Sequence, residues 1–312
     1  MMMRTVSMEK LDSLVTEQQN RRSTQIDRKP TEDILNIINN EDQTVPLQIK
    51  QSIPDITKVV DRIVECFKND GRLIYVGTGT SGRIGVLDAS ECPPTYGTSP
   101  EMVQAIIAGG EQAIFKAVEG AEDNEDLGEN DIVIHNINEK DIVVGITASG
   151  RAPYVIGALK EAKRRGATTV SFTCNKNAEL NKFGDYLINI EVGPEVVTGS
   201  TRMKAGTAQK LVLNMLTTAS MIQVGKVYNN LMVDVQPLNE KLVHRAKRII
   251  ENITCCSREE AEELFQVSEG NPKLAIVMHQ CKVDREMALK LVNESHGFVY
   301  KAIQAYKNIY SK

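Results

Sequence analysis

The chain has 312 residues, of which 41% are hydrophobic and 25% charged, and a formal net charge of −4. That make-up suits a globular chain long enough for one large domain and a smaller one. It excludes a broad nucleic-acid surface, which needs clustered excess Lys and Arg, and no stretch approaches the roughly 20 apolar residues of a membrane helix.

The opening "MMMRTVSMEKLDSL" lacks the apolar core of a signal peptide. The six cysteines (Cys66, Cys92, Cys174, Cys255, Cys256, Cys281) form no C-x-x-C, and the four histidines (His135, His244, His279, His296) show no metal-ligand spacing. The expectation is a cytoplasmic protein with reduced thiols and no metal, cofactor, nucleic-acid or membrane partner. Residues 1–30 are polar and read as an extended arm. Thr31 is predicted as the N-cap of a first helix. Pro54 opens a second, whose Ile56, Val59, Val60, Ile63, Val64 and Phe67 form one apolar stripe ending at Gly71.

Short, mostly β-branched apolar runs then predict strands at 72–77, 102–108, 141–146, 168–173 and 186–192. Helical patterns lie at 82–89, 111–119, 153–165 and 205–224. This alternation predicts an α/β fold with a doubly wound, five-stranded parallel sheet. Strand signals stop after about residue 225. Helix starts follow at Ser257 with Glu260 (a capping box), at Asn271-Pro272 and at Asp284. The expected division is 1–54, an arm and helix; 55–225, the α/β domain; and 226–312, a small helical unit.

Function is most legible in "RLIYVGTGTSGRIGVLDASECPP". Gly77, Gly79 and Gly82 spell G-x-G-x-x-G, yet a dinucleotide site also needs an acidic residue at the end of the second strand. Glu101 precedes that strand instead. The same strand–Gly–hydroxyl loop–S-G-R–helix pattern recurs in "DIVVGITASGRAPYVIGAL", where Ser149-Gly150-Arg151 falls on Ser81-Gly82-Arg83. A third loop, "VVTGSTRMKAGTAQK", again enters a helix. Glycines admit an anion close to backbone N–H groups, helix N-termini add positive potential, and hydroxyls donate to phosphate oxygens. Loops of this kind at the carboxyl ends of neighbouring strands favour a phosphomonoester over a nicotinamide. The expected phosphate and sugar contacts are Thr78, Gly79, Thr80, Ser81, Thr147, Ser149, Gly150, Ser200, Thr201 and Lys204. Arg83 and Arg151 read equally well as helix-surface charges.

These loops resemble the sugar isomerase (SIS) domain. The longer segments "LDASECPPTYG", "AVEGAEDN", "SGRAPYV" and "VVTGSTRMKAGTAQKLVLNMLTT" resemble the N-acetylmuramic acid 6-phosphate etherase (MurQ) family over most of the chain. The resemblance implies cleavage of a D-lactyl ether to N-acetylglucosamine 6-phosphate and D-lactate, in amino-sugar catabolism and cell-wall recycling. It also implies a homodimer, no cofactor, and a C-terminal unit similar to ubiquitin-associated domains. Glu91 matches the family's general acid and Glu122 its base at C2. Pro93-Pro94 are expected to hold Glu91 in a loop, and Glu119 is read as helix surface. Where the family usually has a hydroxyl after S-G-R, this chain has Ala152, so one phosphate contact is expected to be missing. Glu17, Asn20 and His244 are candidates to complete a partner's site. The rival reading is a non-catalytic phosphosugar-sensing regulator on the same domain, as in glucokinase regulatory protein. An aldose–ketose isomerase comes third, and an amidotransferase is set aside for want of an N-terminal Cys.

Overall fold

The computed structural model describes residues 14–237 and 239–310; the first 13 residues of the expected arm lie outside them. The chain forms two compact units, one of residues up to 89 together with 101–216, the other of 90–100 together with 217 onward.

The first unit begins with three short 3-10 turns between Val15 and Arg28, then α1 (Thr31–Asp42), α2 (Val45–Gln51) and α3 (Ile53–Lys68). Thr31 is the first helical residue rather than the cap, which is Pro30, and α2 was not foreseen. The stripe of α3 is buried as expected, with Cys66 added to it. Burial, with the nearby Asp141 charge, pushes the Cys66 thiol up to about 11.

Strands β1 (Leu73–Gly77), β2 (Val103–Ile107), β3 (Ile142–Thr147), β4 (Thr168–Thr173) and β5 (Tyr186–Asn189) form one parallel sheet in the order β2-β1-β3-β4-β5. Every residue of β1 and β3 is buried, as continuous apolar runs in a doubly covered sheet require. Ile74, Val76 and Val143 pack with Tyr154, Val155 and Leu159 of α7 (Pro153–Arg164). Tyr75 faces the other way, toward Gly85 of α4 (Gly79–Tyr96). At the amino ends of β1 and β3, Arg72 grips the buried Asp141 at 2.6 Å and leaves the carboxyl ends for chemistry.

Three expectations between the strands need correction. The helix expected over 111–119 is the short α5 (Gln112–Phe115), and Glu119 lies in an exposed turn after it. A helix unread in the sequence, α6 (Glu125–Ile134), follows. Its mid-helix Gly128 and acidic run look like a solvated turn, because Gly costs a helix about 1 kcal/mol. The structure shows what offsets that cost: a Cβ on Gly128 would lie 1.9 Å from the Tyr154 carbonyl oxygen, so only Gly lets α6 lie against α7. Lastly, α4 runs straight through Pro93 and Pro94. Glu91 is therefore helical and exposed, not in a loop. Both prolines lack the N–H that a last turn donates to carbonyls four residues back, yet the backbone stays helical to Tyr96, and Gly97 N–H closes the turn on the Pro93 carbonyl at 2.9 Å.

The last helix of the α/β part, α8 (Lys204–Gln223), is followed by a hairpin that the sequence did not signal, β6 (Val227–Tyr228) and β7 (Leu231–Met232). Five helices complete the second unit: α9 (Glu240–Thr254), α10 (Arg258–Val267), α11 (Pro272–Cys281), α12 (Arg285–Glu294) and α13 (Val299–Tyr310). Ser257, Asn271 and Asp284 cap α10, α11 and α12 as expected, each accepting an N–H of the first turn. The core of this unit joins Val233 and Val235 to Ile249, Leu274, Val277 and Leu291. Among the described residues no helix is long and apolar enough to cross a membrane.

The α6–α7 contact gives a direct test. Gly128→Ala should lower stability by roughly 3 kcal/mol, the upper end for overpacking, because the obstacle is backbone and cannot rotate away. Urea unfolding measures it.

Candidate active site

In the strand order β2-β1-β3-β4-β5 the connections leave β1 and β3 toward opposite edges, which opens a crevice at their carboxyl ends. Both S-G-R loops lie there. The first runs from β1 into α4. A Cβ on Gly77 would meet Gly82 N at 2.7 Å, so the loop folds back on itself only with glycine. Gly82 N–H donates to the Thr78 carbonyl at 3.2 Å. Gly79, Thr80 and Ser81 then open α4, where their amides have no preceding helical carbonyl to receive them. Thr78 and Ser81 are buried, Thr80 half-buried and Gly79 exposed.

The second loop offers different donors. Pro153 at the start of α7 has no N–H, and Tyr154 N–H is taken by the Glu122 carbonyl at 3.0 Å. Gly150 N–H donates to Thr147 Oγ1 and Arg151 N–H to Ser149 Oγ, both at 3.3 Å. The two hydroxyl oxygens thus accept from their own loop and lie 3.4 Å apart, so one can donate to the other and one proton is left for a ligand. The Tyr154 bond also fixes Glu122, whose residue is exposed, beside this loop. Ala152 is buried in the core with Tyr154 and Val155.

The third loop approaches the first: a Cβ on Gly206 would be 3.4 Å from Thr80 Cγ2. Ser200 and Thr201 are half-buried in a turn closed by their own N–H groups. Lys204 was expected at the sugar phosphate. Instead its ammonium is buried and sits 2.6 Å from Glu41 Oε2. Glu41 also accepts from Asn20 and Arg22 at 2.9 Å. Burial pushes the Glu41 carboxyl up, but Lys204, Arg22 and Asn20 outweigh it and hold the group below its ordinary value.

Sequence reasoning missed two residues that shape this crevice. Glu195, 1% exposed, accepts the Lys204 and Ala205 N–H groups at 2.9 Å. It fills the N-terminus of α8 with an internal carboxylate, so that terminus is closed to a phosphate. Burial raises its pKa, although those two amides pull the other way. Asn175 donates to the Ala148 carbonyl at 2.9 Å and accepts from Val15 N–H at 3.0 Å, tying the N-terminal arm to the second loop. The only sequence signal for Asn175 was its place just past a predicted strand. The arm also brings Glu17 beside the third loop, its carboxylate 3.4 Å from where a Cβ on Gly199 would stand. Asn20 donates to Glu41 and to the Pro194 carbonyl. Arg83 is not a free surface charge, since it donates to the Ile114 carbonyl at 3.0 Å. Glu91 and His244 belong to the second unit, Glu91 exposed on α4 and His244 exposed on α9. Among the described residues no three His, Cys, Asp or Glu side chains gather as a metal site.

Three family models match the chain: the glucokinase regulatory protein N-terminal SIS domain over residues 55–163, the SIS domain over 117–219, and the C-terminal lid domain of glucokinase regulatory protein over 229–296. Relatives also match over nearly the whole chain. N-acetylmuramic acid 6-phosphate etherase of Glaesserella parasuis is 55% identical over 92% of this chain and 94% of its own. The enzymes of the same name from Bacillus cereus (54%; 94% and 100%) and Photorhabdus laumondii (52%; 95% and 99%) match as fully.

The buried pair yields a signed pH prediction. Glu41→Gln leaves the Lys204 ammonium without its partner and should cost about 3–5 kcal/mol at neutral pH. Because the Glu41 pKa is lowered by folding, its contribution is full above the unfolded value of 4.5 and is lost as pH falls through the folded value. Urea unfolding of wild type and variant should therefore diverge above pH 5 and converge below 4.5.

Proposed function

The chain belongs to the N-acetylmuramic acid 6-phosphate etherase family, and from that premise we propose that it is a carbon–oxygen lyase acting on this phosphosugar. The observation that carries the reading is the pair of hydroxyl-rich loops at the carboxyl ends of β1 and β3, with Glu122 anchored beside the second. The 6-phosphate lies against the α4 amides and Ser81 on one side and the Thr147 and Ser149 hydroxyls on the other. Ser200 and Thr201 line the sugar. Lys204 acts indirectly, by fixing the third loop through Glu41.

The chemistry follows from the substrate. An alkyl ether resists direct attack by water. In the open-chain sugar, however, the C1 aldehyde acidifies the C2 proton. Glu122 takes that proton, and the electron pair forms a C2–C3 double bond as the C3–oxygen bond breaks. Glu91 gives the departing lactyl oxygen a proton, so D-lactate leaves neutral at that oxygen. Water then adds to C3 and a proton returns to C2, giving N-acetylglucosamine 6-phosphate. One group is regenerated as acid and the other as base. The enzyme works as a cytoplasmic homodimer in this reading, which rests on the family.

A second reading has a specific observation behind it: two matching models bear the name of a regulatory protein. A phosphosugar sensor would keep the loops and dispense with the carboxylates. D-Lactate release from N-acetylmuramic acid 6-phosphate separates the two. Glu91→Ala and Glu122→Ala should each lower kcat by roughly 10²–10⁴ without unfolding the chain. Ser149→Ala should raise KM roughly tenfold and leave kcat nearly unchanged. Binding of the phosphosugar with no lactate released by the wild type would establish the sensor instead.

A further inference from the structure

The segment that leads to Glu122 is hydrogen-bonded from outside by one side chain. After β2 the chain turns at Gly109 and Gly110, both at positive φ, forms α5, and turns again at Gly120, φ +72°, two residues before Glu122. A Cβ on Gly120 would meet nothing, so glycine is there for its backbone conformation and not for space. Apolar burial holds the stretch only lightly: Ala113 is buried, but Phe115 is 86% exposed. Val118 folds back on Gly109, where a Cβ would lie 2.9 Å from it. The remaining bonds are internal, such as Ala113 N–H to the Gly110 carbonyl and Lys116 N–H to the Gln112 carbonyl. Among the described residues, the only hydrogen bonds joining residues 111–121 to chain outside 107–122 come from Arg83. Its Nε donates to the Ile114 carbonyl at 3.0 Å and its Nη2 to the Lys116 carbonyl at 3.4 Å.

Arg83 stands two residues after Ser81, at the opening of α4. A cation there works against the helix dipole, so the position is not chosen for the helix. Its partners are carbonyls at the end of α5, where a helix has no amides of its own to satisfy them. A guanidinium presents its donors in a rigid fork, which spans two backbone carbonyls where an ammonium is a single point, and its charge strengthens both bonds. Arg83 thus ties the loop given above to the 6-phosphate to the backbone that leads to the base. Glu122 is held at its far side by Tyr154 N–H, beside the second loop. The segment is thereby stretched between the two loops that grip the substrate. We propose, on the basis of the lyase reading, that Arg83 is a positioning residue: its guanidinium sets the 111–121 backbone so that Glu122 meets the C2 hydrogen of a sugar whose phosphate sits in the first loop. Binding at a remote phosphate is in this way turned into geometry at the reacting carbon.

The test follows D-lactate release from N-acetylmuramic acid 6-phosphate by the full chain, as wild type, Arg83→Gln, Arg83→Lys, Glu122→Ala, and Arg83→Gln combined with Glu122→Ala. Amide hydrogen exchange of each protein is the second readout. Arg83→Gln should lower kcat roughly 10–100-fold and change KM by less than about threefold. Arg83→Lys, which keeps the charge and one bond, falls between. Exchange should quicken across 111–121 while the amides of α6 and α7 keep their wild-type protection, which separates loss of the tether from unfolding. Because Arg83 acts through Glu122, the double variant should be no slower than Glu122→Ala alone. Losses that multiply in the double variant would overturn the proposal, as would a wild-type kcat in Arg83→Gln. A raised KM at unchanged kcat would make Arg83 a phosphate contact and overturn the positioning role. In each of these cases an active wild type leaves the lyase reading standing. A wild type that releases no lactate would sink that reading, and this one with it.

Discussion

A carboxylate buried to 3% exposure dictates much of the first unit. Glu41 cannot remain charged there without donors, and it draws them from three stretches of chain: Lys204 at the start of α8, and Asn20 and Arg22 in the arm. Asn20 in turn reaches the Pro194 carbonyl, and Ser23 the Val196 carbonyl at 2.7 Å. The arm and the third loop thereby share one set of bonds. A neutral residue at 41 would leave Lys204 buried and unpaired, so the whole arrangement stands or falls on a single compensated charge.

The crevice shows how one sequence signature serves two ends. The S-G-R loop after β1 presents amides from the first turn of a helix, whereas the loop after β3 gives the amides of Gly150, Arg151 and Tyr154 to its own hydroxyls and to Glu122. The third helix N-terminus is filled by Glu195. The first loop therefore offers the amides of a helix start, and the second offers hydroxyls opposite it. That division suits a ligand held at one charged end and worked on elsewhere.

Much of this was legible in the sequence because its physical signals are local. The five strands announce themselves as apolar runs, and Ser257, Asn271 and Asp284 as caps, since each effect acts within a few residues. What was hidden depends on distant partners. Gly128 argues against a helix until the Tyr154 carbonyl is seen against it. Pro93-Pro94 argue for a loop until they are found in a final turn. Lys204 reads as a phosphate ligand because nothing in its own neighbourhood reveals Glu41, 163 residues away. The repeated loops were readable for the opposite reason: each is a compact motif whose purpose lies in its own composition.

Residues 90–100 belong with the second unit although they are separated from the rest of it by more than a hundred residues. Tyr96 OH meets Thr218 Oγ1 at 3.3 Å, and Gly97, at φ +61°, packs where a Cβ would strike the Asp234 carbonyl oxygen. During synthesis this segment emerges long before the helices it joins. The clustered hydrophobic core of the second unit draws on residues 228–306, so this early segment joins a body whose apolar centre is encoded wholly downstream of the sheet.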